Sequence, residues 1–386
     1  MGSGQLATLR KSLDDIDAVI VSALGERARL ARDIAAVKRD GDGPVRDVDR
    51  ETALLQHRAA YGERVGLDPA FVRRIFREIL EDSLRRQADV MTDSSPDDAP
   101  LRVAYQGTEG AYGHQAATQH FGVSSRPMTL KAYGTFRQML EAVLNGHADR
   151  GILPVENTTA GSVYEAYDLL LRFNLSLVGE EIVDVRHCLL GVADVSVQSL
   201  RQIHSHPQAL SQCGEFLSRL TSCEQVPAAN TAVAAQRIKE LGDPFQAAIA
   251  SEEAAAHFGL HVLERGIADQ PLNYTRFVVV SSAPADCDPR LASKVSLVLA
   301  TRHEHGALVR CLNVLSDEGI NLTKLESRPR PGIAWEYVFY LDVEGHVREP
   351  RMQAALARLA ERTVFLRVLG CYPSRELPRT PANGGL

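Results

Sequence analysis

The sequence lacks several features that define large classes of protein. It has no run of about 18 apolar residues, so no membrane-spanning helix is expected. The start, MGSGQLATLRK, has no hydrophobic segment before a cleavage site, and Leu6 stands where a myristoylation motif requires Ser or Thr. A net charge of −6 gives no general attraction for nucleic acid. These absences favour a cytoplasmic protein with neither a membrane nor a nucleic-acid partner.

The cysteines and glycines also lack the spacings of common binding motifs. None of the six cysteines belongs to a C-x-x-C pair, which favours reduced thiols over a disulfide framework or a zinc site. The glycines of GTEGAYGHQ (residues 107–115) are spaced G-x-x-G-x-x-G, a poor fit to the G-x-G-x-x-G of dinucleotide-binding loops. Neither a metal nor a cofactor is therefore expected.

A chain of 386 residues is too long for one ordinary core, and its regions differ in pattern. Residues 1–91 are predicted to be all helical, and the polar, proline-bearing residues 92–100 to form a linker. In residues 101–282, short apolar runs alternate with helical stretches, as is typical of an α/β domain. Residues 293–373 predict the order β-α-β-β-α-β of a ferredoxin-like α+β domain. Residues 374–386 are predicted to be a loose tail.

Apolar and small residues recur every three or four positions from Leu6 to Val37, which predicts an amphipathic helix of about 30 residues. A helix of this length favours pairing with a second copy of the chain. Arg27 interrupts the apolar stripe, and Lys38 lies eleven residues on in nearly the same direction around the axis. The two side chains can converge on one anion; alternatively, Arg27 can pair with a carboxylate at the helix edge.

Two further helices of this region carry polar residues in informative places. One begins at Asp68-Pro69, and its apolar stripe continues into Ser83 and Gln87, which indicates either a solvated helix end or a polar pocket. The segment PVRDVDRE opens the helix between them with three charged residues, Asp47, Arg50 and Glu51.

These helices resemble the all-helical chorismate mutase family, whose members form an intertwined dimer. The matching segments are LR (9–10), ER (26–27), Lys38, PVRDVDRE (44–51), EDS (81–83) and Gln87. The resemblance implies arginines that bind the two carboxylates of chorismate, with Arg10 contributed by the partner subunit. Lys38 and Gln87 would donate to the ether oxygen as it gains charge, and Glu51 and Ser83 would hold the ring hydroxyl or order the site. The implied site comprises Arg10, Arg27, Lys38, Asp47, Arg50, Glu51, Ser83 and Gln87.

Four polar loops lie at strand ends in the central region: GTEGAYG, LPVENTTAGSV, HSHPQALSQC and NYTRF. A glycine turn that leads into a helix suits a small anion. Each loop alone is equally explained by capping or turn chemistry, but four together indicate a convergent cleft. The polar residues in these loops are Glu156, Asn157, Thr158, Thr159, Ser205, His206, Gln208, Gln212, Thr275 and Arg276.

These loops together resemble prephenate dehydratase across residues 101–282, and NYTRF is the most specific of them. The resemblance implies two α/β lobes, similar to a periplasmic binding protein, with the site in the cleft between them. The implied site residues are Thr275, Arg276, Glu156, Asn157, Ser205 and Gln212. Prephenate would lose CO2 and its ring hydroxyl as the ring becomes aromatic. Thr275 is expected to hydrogen-bond to the departing oxygen with the assistance of Glu156, and Arg276 to hold a substrate carboxylate. Gly113 stands where the family usually has Ser or Thr, which would weaken this activity.

In the last region, Gly306 opens a helix and ESRP closes a strand. These two motifs resemble the GAL and ESRP motifs of ACT domains attached to prephenate dehydratases, which bind phenylalanine at a domain interface and lower activity. The implied allosteric residues are Gly306, Ala307, Leu308, Asn321, Glu326, Ser327, Arg328 and Pro329.

The leading interpretation is a bifunctional chorismate mutase and prephenate dehydratase that is inhibited by phenylalanine. It would act as a homodimer or a higher oligomer, with chorismate and prephenate as substrates. Two alternatives stay open: a sensor with the same folds and no catalysis, and a dehydratase that prefers arogenate.

Overall fold

The computed structural model describes residues 2–39, 41, 46–92, 99–124, 126–330, 332–333 and 335–375. The chain divides into two compact units, one of residues 1–97 with 286–291 and one of residues 98–285 with 292–386. Most of the predicted linker and nearly all of the predicted tail fall outside the described residues. Within those residues, no helix is long and apolar enough to cross a membrane.

The first unit contains three helices: α1 (Gly2–Arg39), α2 (Val48–Arg64) and α3 (Pro69–Thr92). Both α1 and α2 pack against α3, around a small core that includes Ala35, Ala59 and Val72. The long helix predicted from the apolar spacing is present as α1. Its first half stays largely uncovered in the single chain, because Leu9, Leu13 and Ile16 are 58%, 60% and 56% exposed.

A short segment distant in sequence, Asp286–Leu291, belongs to this first unit. The guanidinium of Arg290 donates to the carbonyl oxygen of Lys38 at 2.9 Å and to that of Gly41. Lys38 lies in the last turn of α1 and Gly41 lies just beyond it, where the backbone carbonyls have no N–H donor within the helix. Arg290 therefore caps the carboxyl end of the helix that carries Arg27 and Lys38.

Among the described residues of the second unit, eleven strands and seven α-helices come first. The strands are β1 (Leu101–Gln106), β2 (Met128–Tyr133), β3 (Arg150–Asn157), β4 (Gly161–Ser162), β5 (Ser176–Asp184), β6 (Cys188–Gly191), β7 (Gln202–Ser205), β8 (Glu224–Pro227), β9 (Gln246–Ala250), β10 (His261–Arg265) and β11 (Tyr274–Ser281). The helices are α4 (Tyr112–Phe121), α5 (Phe136–Leu144), α6 (Tyr164–Arg172), α7 (Pro207–Gln212), α8 (Gly214–Ser218), α9 (Thr231–Leu241) and α10 (Glu252–Phe258).

These strands form two sheets, and each is the centre of one lobe. The first sheet has the order β2-β1-β3-β11-β5, with β4 beside β3, and the second has the order β10-β6-β9-β7-β8. The chain leaves the first lobe after β5 and returns to it in β11, so two crossings join the lobes. In the first sheet β11 runs antiparallel to both of its neighbours, β3 and β5. This is the two-lobed α/β arrangement that the sequence predicted.

The C-terminal region has the predicted order β-α-β-β-α-β. Its elements are β12 (Ser293–Thr301), α11 (Ala307–Asp317), β13 (Leu322–Pro329), β14 (Tyr337–Glu344), α12 (Pro350–Arg362) and β15 (Thr363–Pro373), and the sheet order β13-β14-β12-β15 is antiparallel throughout.

The C-terminal sheet buries both of its faces. One face packs under α11 and α12, and the other shares a core with the first lobe, where Val298 and Tyr340 join Leu153 and Leu170. A Cβ at Gly370 of β15 would lie 1.9 Å from the Leu177 carbonyl oxygen of β5, so only glycine permits this approach. The sensing region predicted from the sequence is therefore fused to the first lobe by a continuous apolar core.

Candidate functional sites

In the helical unit, Arg27 of α1 reaches across to α3. Its Nη1 donates to the carbonyl oxygen of Ile79 at 3.0 Å and to the hydroxyl oxygen of Ser83, which itself donates to the same carbonyl at 2.8 Å. Burial lowers the pKa of Arg27, while Asp82 raises it and Arg58 lowers it further. Both acceptors are neutral, so Arg27 keeps a charge that can bind an anion.

Lys38 reaches the same helix one turn further along. Its Nζ lies 3.4 Å from Oε1 of Gln87, which is four residues after Ser83 and therefore on the same face of α3. Ser83 and Gln87 are only 5% and 9% exposed, although both are polar. The structure thus brings Arg27, Lys38, Ser83 and Gln87 together and supports a polar pocket over a solvated helix end.

Of the other four predicted residues of this unit, Arg10, Asp47 and Arg50 are exposed and Glu51 is half-buried. Asp47 caps α2 by accepting from the backbone N–H of Arg50 at 2.9 Å, and Glu51 pairs with Arg46 at 3.3 Å. Arg10 lies on the exposed half of α1. Capping explains why α2 begins after Asp47. Within the described residues, neither Asp47 nor Arg10 forms a hydrogen bond with Arg27.

In the two-lobed region, Thr275 of β11 lies opposite Asn157 of β3. Nδ2 of Asn157 donates to Thr275 Oγ1 at 3.0 Å and to Asn273 Oδ1 at 2.6 Å. Oδ1 of Asn157 accepts from the backbone N–H groups of Thr159 at 3.0 Å and Ala160 at 2.8 Å. Backbone N–H groups only donate, so they fix which way the amide points. Thr275 must therefore accept from Asn157, and its own proton is free for another partner.

Gln212, at the end of α7, brings the second lobe to this group. Its Nε2 lies 3.4 Å from Asn157 Oδ1, and its Oε1 accepts from Asn273 Nδ2 at 3.1 Å. The same Oε1 lies 2.8 Å from Nε2 of His187, and Nδ1 of His187 lies 3.2 Å from the hydroxyl of Tyr112. The structure therefore brings Thr275, Asn157 and Gln212 together, as predicted from three separate loops.

Asn273, His187 and Tyr112 are members of this network that the sequence analysis missed. Asn273 begins the NYTRF motif and Tyr112 belongs to the glycine loop, so both carried a signal. His187 precedes an apolar strand without any distinguishing pattern. A pocket of about 250 Å³ opens beside the network and is lined by Thr159, Gln208, Ser211, Gln212, Ala268, Asp269, Gln270 and Asn273.

Ser205 is not part of this pocket. It is fully buried, and its hydroxyl donates to the carbonyl oxygen of Ile249 at 2.7 Å, which ties β7 to β9 within the second sheet. This buried hydrogen bond satisfies the hydroxyl, so the structure gives Ser205 a role in the lobe's own core.

Glu156 and Arg276 lie beside Asn157 and Thr275 in the sequence, but alternate residues of a strand face opposite sides of a sheet. The carboxylate of Glu156 lies 2.9 Å from Nζ of Lys324 in the C-terminal sheet. The structure therefore directs Glu156 away from Thr275, and the predicted assistance has no contact to support it.

The guanidinium of Arg276 is held in a buried ionic cluster. Its Nε donates to Glu180 at 2.7 Å, its Nη1 to Asp342 at 2.5 Å and its Nη2 to the Tyr372 hydroxyl at 3.1 Å. Burial acts to lower the pKa of Arg276, but Asp342, Tyr372 and Glu180 raise it well above its ordinary value. The charge of Arg276 is paired with Glu180 and Asp342 beside the C-terminal sheet, so it does not serve a substrate carboxylate.

Gly113 lies in the first turn of α4. A Cβ there would come within 2.9 Å of the Gln106 carbonyl oxygen, so Ser or Thr at this position would force a backbone shift. Glycine at position 113, where the family usually has Ser or Thr, therefore fits the close approach of the backbone in this chain.

The beginning of α11 opens onto a second pocket, of about 340 Å³. Gly306 precedes the helix with φ of 70°, a conformation that favours glycine. The lining residues are Thr301, Arg302, His303, Glu304, Gly306, Ala307, Leu308, Val309, Trp335, Glu336, Tyr337 and Phe339. Gly306, Ala307 and Leu308 are thus together, as predicted.

The ESRP strand faces the first lobe instead. Glu326 accepts from the hydroxyl of Ser162, and Arg328 forms a bidentate pair with Asp168 at 3.1 and 2.9 Å. None of the four ESRP residues, nor Asn321, lines the pocket at α11 within the single chain. The implied allosteric residues therefore form two groups: Gly306, Ala307 and Leu308 at the pocket, and Asn321, Glu326, Ser327, Arg328 and Pro329 outside it.

Comparisons with known proteins identify both enzymatic regions. The model of chorismate mutase type II matches residues 9–88, and that of prephenate dehydratase matches residues 103–285. A bifunctional chorismate mutase/prephenate dehydratase of Enterobacter agglomerans is 36% identical over 98% of both chains.

Two solved structures are similar to about seven-tenths of this chain. Prephenate dehydratase of Arthrobacter aurescens in complex with L-Phe is 29% identical with a TM-score of 0.64, over 71% of this chain and 90% of its own. GqqA, described as a novel type of quorum quenching acylase, is 35% identical with a TM-score of 0.65, over 72% of this chain and 100% of its own. With the nearly full-length match to the bifunctional relative, the chain belongs to the family of bifunctional chorismate mutase/prephenate dehydratases.

Proposed function

We propose that the two reactions of this bifunctional enzyme occur at two separate sites, one on the helices and one between the α/β lobes. The hydrogen-bonded group of Thr275, Asn157 and Gln212, drawn from both lobes beside a pocket, carries the proposal for the second site. The domains would be the mutase at residues 1–91, the dehydratase at 101–282 and an ACT domain at 293–373. The enzyme would act in the cytoplasm.

Chorismate rearranges to prephenate by breaking an ether C–O bond as a C–C bond forms, with no proton transfer. The protein then needs to hold the substrate's shape and to stabilise charge on the ether oxygen. Arg27 would bind one carboxylate, and Lys38 with Gln87 would donate to the ether oxygen. Asp47, Arg50 and Glu51 would close the site from the start of α2 once substrate is bound.

Arg10 would complete the mutase site from a second subunit. The uncovered apolar residues on the first half of α1 support this proposal, because Leu9, Leu13 and Ile16 need a partner surface. Mixed dimers test it. Arg10→Met and Arg27→Met subunits, each strongly impaired alone, should form one intact site per mixed dimer when Arg10 acts in the partner's site. Mixtures without chorismate turnover would place Arg10 in its own subunit's site.

At the dehydratase site, electrons from the breaking bond to the carboxylate move through the ring and expel the hydroxyl group, which leaves as water after gaining a proton. Thr275 would donate a hydrogen bond to that departing oxygen, since its own oxygen already accepts from Asn157. Accepting this hydrogen bond polarises the Thr275 hydroxyl and makes it a better donor.

Chorismate added to the purified protein should yield prephenate and then phenylpyruvate, which can be followed by absorbance. Arg27→Met should lower chorismate turnover by about 100-fold and leave turnover of added prephenate unchanged. Arg29→Met is the matched control, because Arg29 is an exposed neighbour on α1 that pairs with Glu26 and Asp33. Equal effects of the two variants would contradict the proposed mutase site.

Phenylalanine would bind at the start of α11 and inhibit the dehydratase, as the L-Phe complex of the Arthrobacter enzyme supports. Inhibition requires only that the ligand binds one of two domain arrangements more tightly. Val309→Trp should fill the pocket and abolish inhibition. Val364→Trp, at another exposed valine of the same domain, should leave it unchanged.

The alternative substrate is arogenate, which differs from prephenate in bearing an amino group in place of the keto oxygen. The pocket beside Gln212 contains Asp269, a carboxylate that would suit an ammonium group. The ratio of kcat/KM for the two substrates decides between them, and an Asp269→Asn variant that loses only arogenate turnover would assign the preference.

A further inference from the structure

His187 is a buried residue of the dehydratase region, and the reaction proposed above gives it no role. It is 2% exposed, lies outside the pocket lining and touches Gln212 on one side and Tyr112 on the other. Burial lowers its pKa, which keeps the ring neutral. A neutral imidazole carries one proton, and the position of that proton decides what its neighbours must do.

The proton positions follow from the two backbone N–H groups on Asn157 Oδ1. With that oxygen fixed as an acceptor, the nitrogen of Gln212 must face it, and Oε1 of Gln212 must face His187. Nε2 of His187 therefore carries the proton and donates it at 2.8 Å. Nδ1 is then bare and accepts from the Tyr112 hydroxyl at 3.2 Å.

We propose that His187 is a positioning residue of the dehydratase, which holds the Gln212 amide with its NH2 group toward Asn157 and the substrate pocket. Without a donor at Nε2, the Gln212 amide can rotate by half a turn. Its oxygen would then face Oδ1 of Asn157, so that two acceptors meet and the hydrogen bond to Thr275 is disturbed. Tyr112 sets the tautomer by donating to Nδ1.

A second contact supports this orientation of Gln212. Asn273 accepts from Asn157 through Oδ1 at 2.6 Å and donates to Gln212 Oε1 through Nδ2 at 3.1 Å. Oε1 of Gln212 thus receives two donors, His187 and Asn273. The second lobe therefore contributes to the alignment of Thr275 through Gln212, whose orientation His187 helps to hold.

The proposal rests on the dehydratase site proposed above and is tested with the full-length enzyme. His187→Leu should lower dehydratase kcat by about 10- to 100-fold, as loss of an orienting hydrogen bond does at other sites, with a smaller change in KM. Mutase turnover should not change. His187→Gln, which can donate to Gln212 and accept from Tyr112, should restore most of the rate.

A double-mutant cycle shows whether His187 acts through Gln212. On a Gln212→Leu background, His187→Leu should add little further loss, because the amide that it orients is gone. Additive losses would overturn the proposal. Full dehydratase activity in Gln212→Leu alone would instead refute the proposed site.

His204 provides the matched control. It is a buried histidine of the same second lobe, and its Nε2 lies 2.8 Å from Oε1 of Gln246, away from the pocket. His204→Leu should lower the melting temperature and leave kcat unchanged. Nitrogen NMR of His187 in the unmodified enzyme is independent of any variant's folding, and a proton on Nδ1 would overturn the proposal.

Discussion

The two faces of strand β11 carry out different tasks with adjacent residues. On one face, Thr275 belongs to a network of neutral amides, a hydroxyl and an imidazole beside a pocket. On the other, Arg276 lies among Glu180 and Asp342 at the boundary with the C-terminal sheet. Neutral donors and acceptors can exchange partners with a substrate at small cost, whereas a buried charge cannot leave its partners. The first face therefore suits chemistry, and the second suits attachment.

Removing the hydroxyl of Thr275 should have the largest effect. Thr275→Val keeps the shape of the side chain and removes the donor to the departing oxygen, so dehydratase kcat should fall by about 100- to 1000-fold. Mutase turnover and the melting temperature should barely change. Thr129→Val, at an exposed position of the same sheet, is the control. A rate within a few fold of the unmodified enzyme would remove Thr275 from the reaction.

Removing the charge of Arg276 should affect the stability of the protein more than its reaction rate. Arg276→Met leaves Asp342 buried without its cation, while Glu180 keeps its pair with Lys294 at 2.8 Å, and the change should cost about 3–5 kcal/mol of unfolding free energy. Arg102→Met, at the more exposed pair with Asp149, should change the melting temperature little. An unchanged melting temperature combined with a raised KM would assign Arg276 to the substrate carboxylate, as the sequence predicted.

Substitutions of Glu156 and of its partner Lys324 test which face of the sheet Glu156 serves. Because its carboxylate contacts Lys324, Glu156→Gln and Lys324→Met should each lower the melting temperature slightly and leave dehydratase kcat unchanged. If Glu156 instead assists Thr275, then Glu156→Gln alone should slow the reaction by about tenfold or more. Steady-state rates of the two variants measure the difference directly.

The smallest effect concerns pH. Burial lowers the pKa of His187 in the folded protein, so the unfolded chain binds more protons below its ordinary pKa near 6.5. Stability should therefore fall as the pH decreases below that value, by at most about 1.4 kcal/mol per pH unit for one proton. His187→Gln should flatten part of this slope, while burial of His114 and His206 leaves the rest. A slope identical to that of the unmodified enzyme would contradict a neutral His187.

The sequence predicted the elements well because their signals are local. The spacing of apolar residues in α1, the cap at Asp68 and the short strands and helices of the C-terminal region depend only on near neighbours. It also grouped Thr275, Asn157 and Gln212 correctly, since polar loops at strand ends meet at one edge of a sheet.

The direction of side chains was harder to predict. NYTRF and VEN place residues of the proposed site next to residues that contact the C-terminal sheet. Which face of each strand meets the cleft depends on distant packing. Ser205 has the same loop signal as Gln212, but it is used by its own sheet. His187 gained its place from contacts with residues 75 and 25 positions away, which no local pattern contains.

The ionic cluster at Arg276 has a consequence for how such genes can be rearranged. A dehydratase that lost its C-terminal domain by truncation would expose the apolar face of its first lobe and take Asp342 and Tyr372 from Arg276. Exchange of the C-terminal domain would thus demand simultaneous changes on β11 at Arg276, one residue from Thr275. Attachment of this domain and the proposed dehydratase site therefore constrain neighbouring codons.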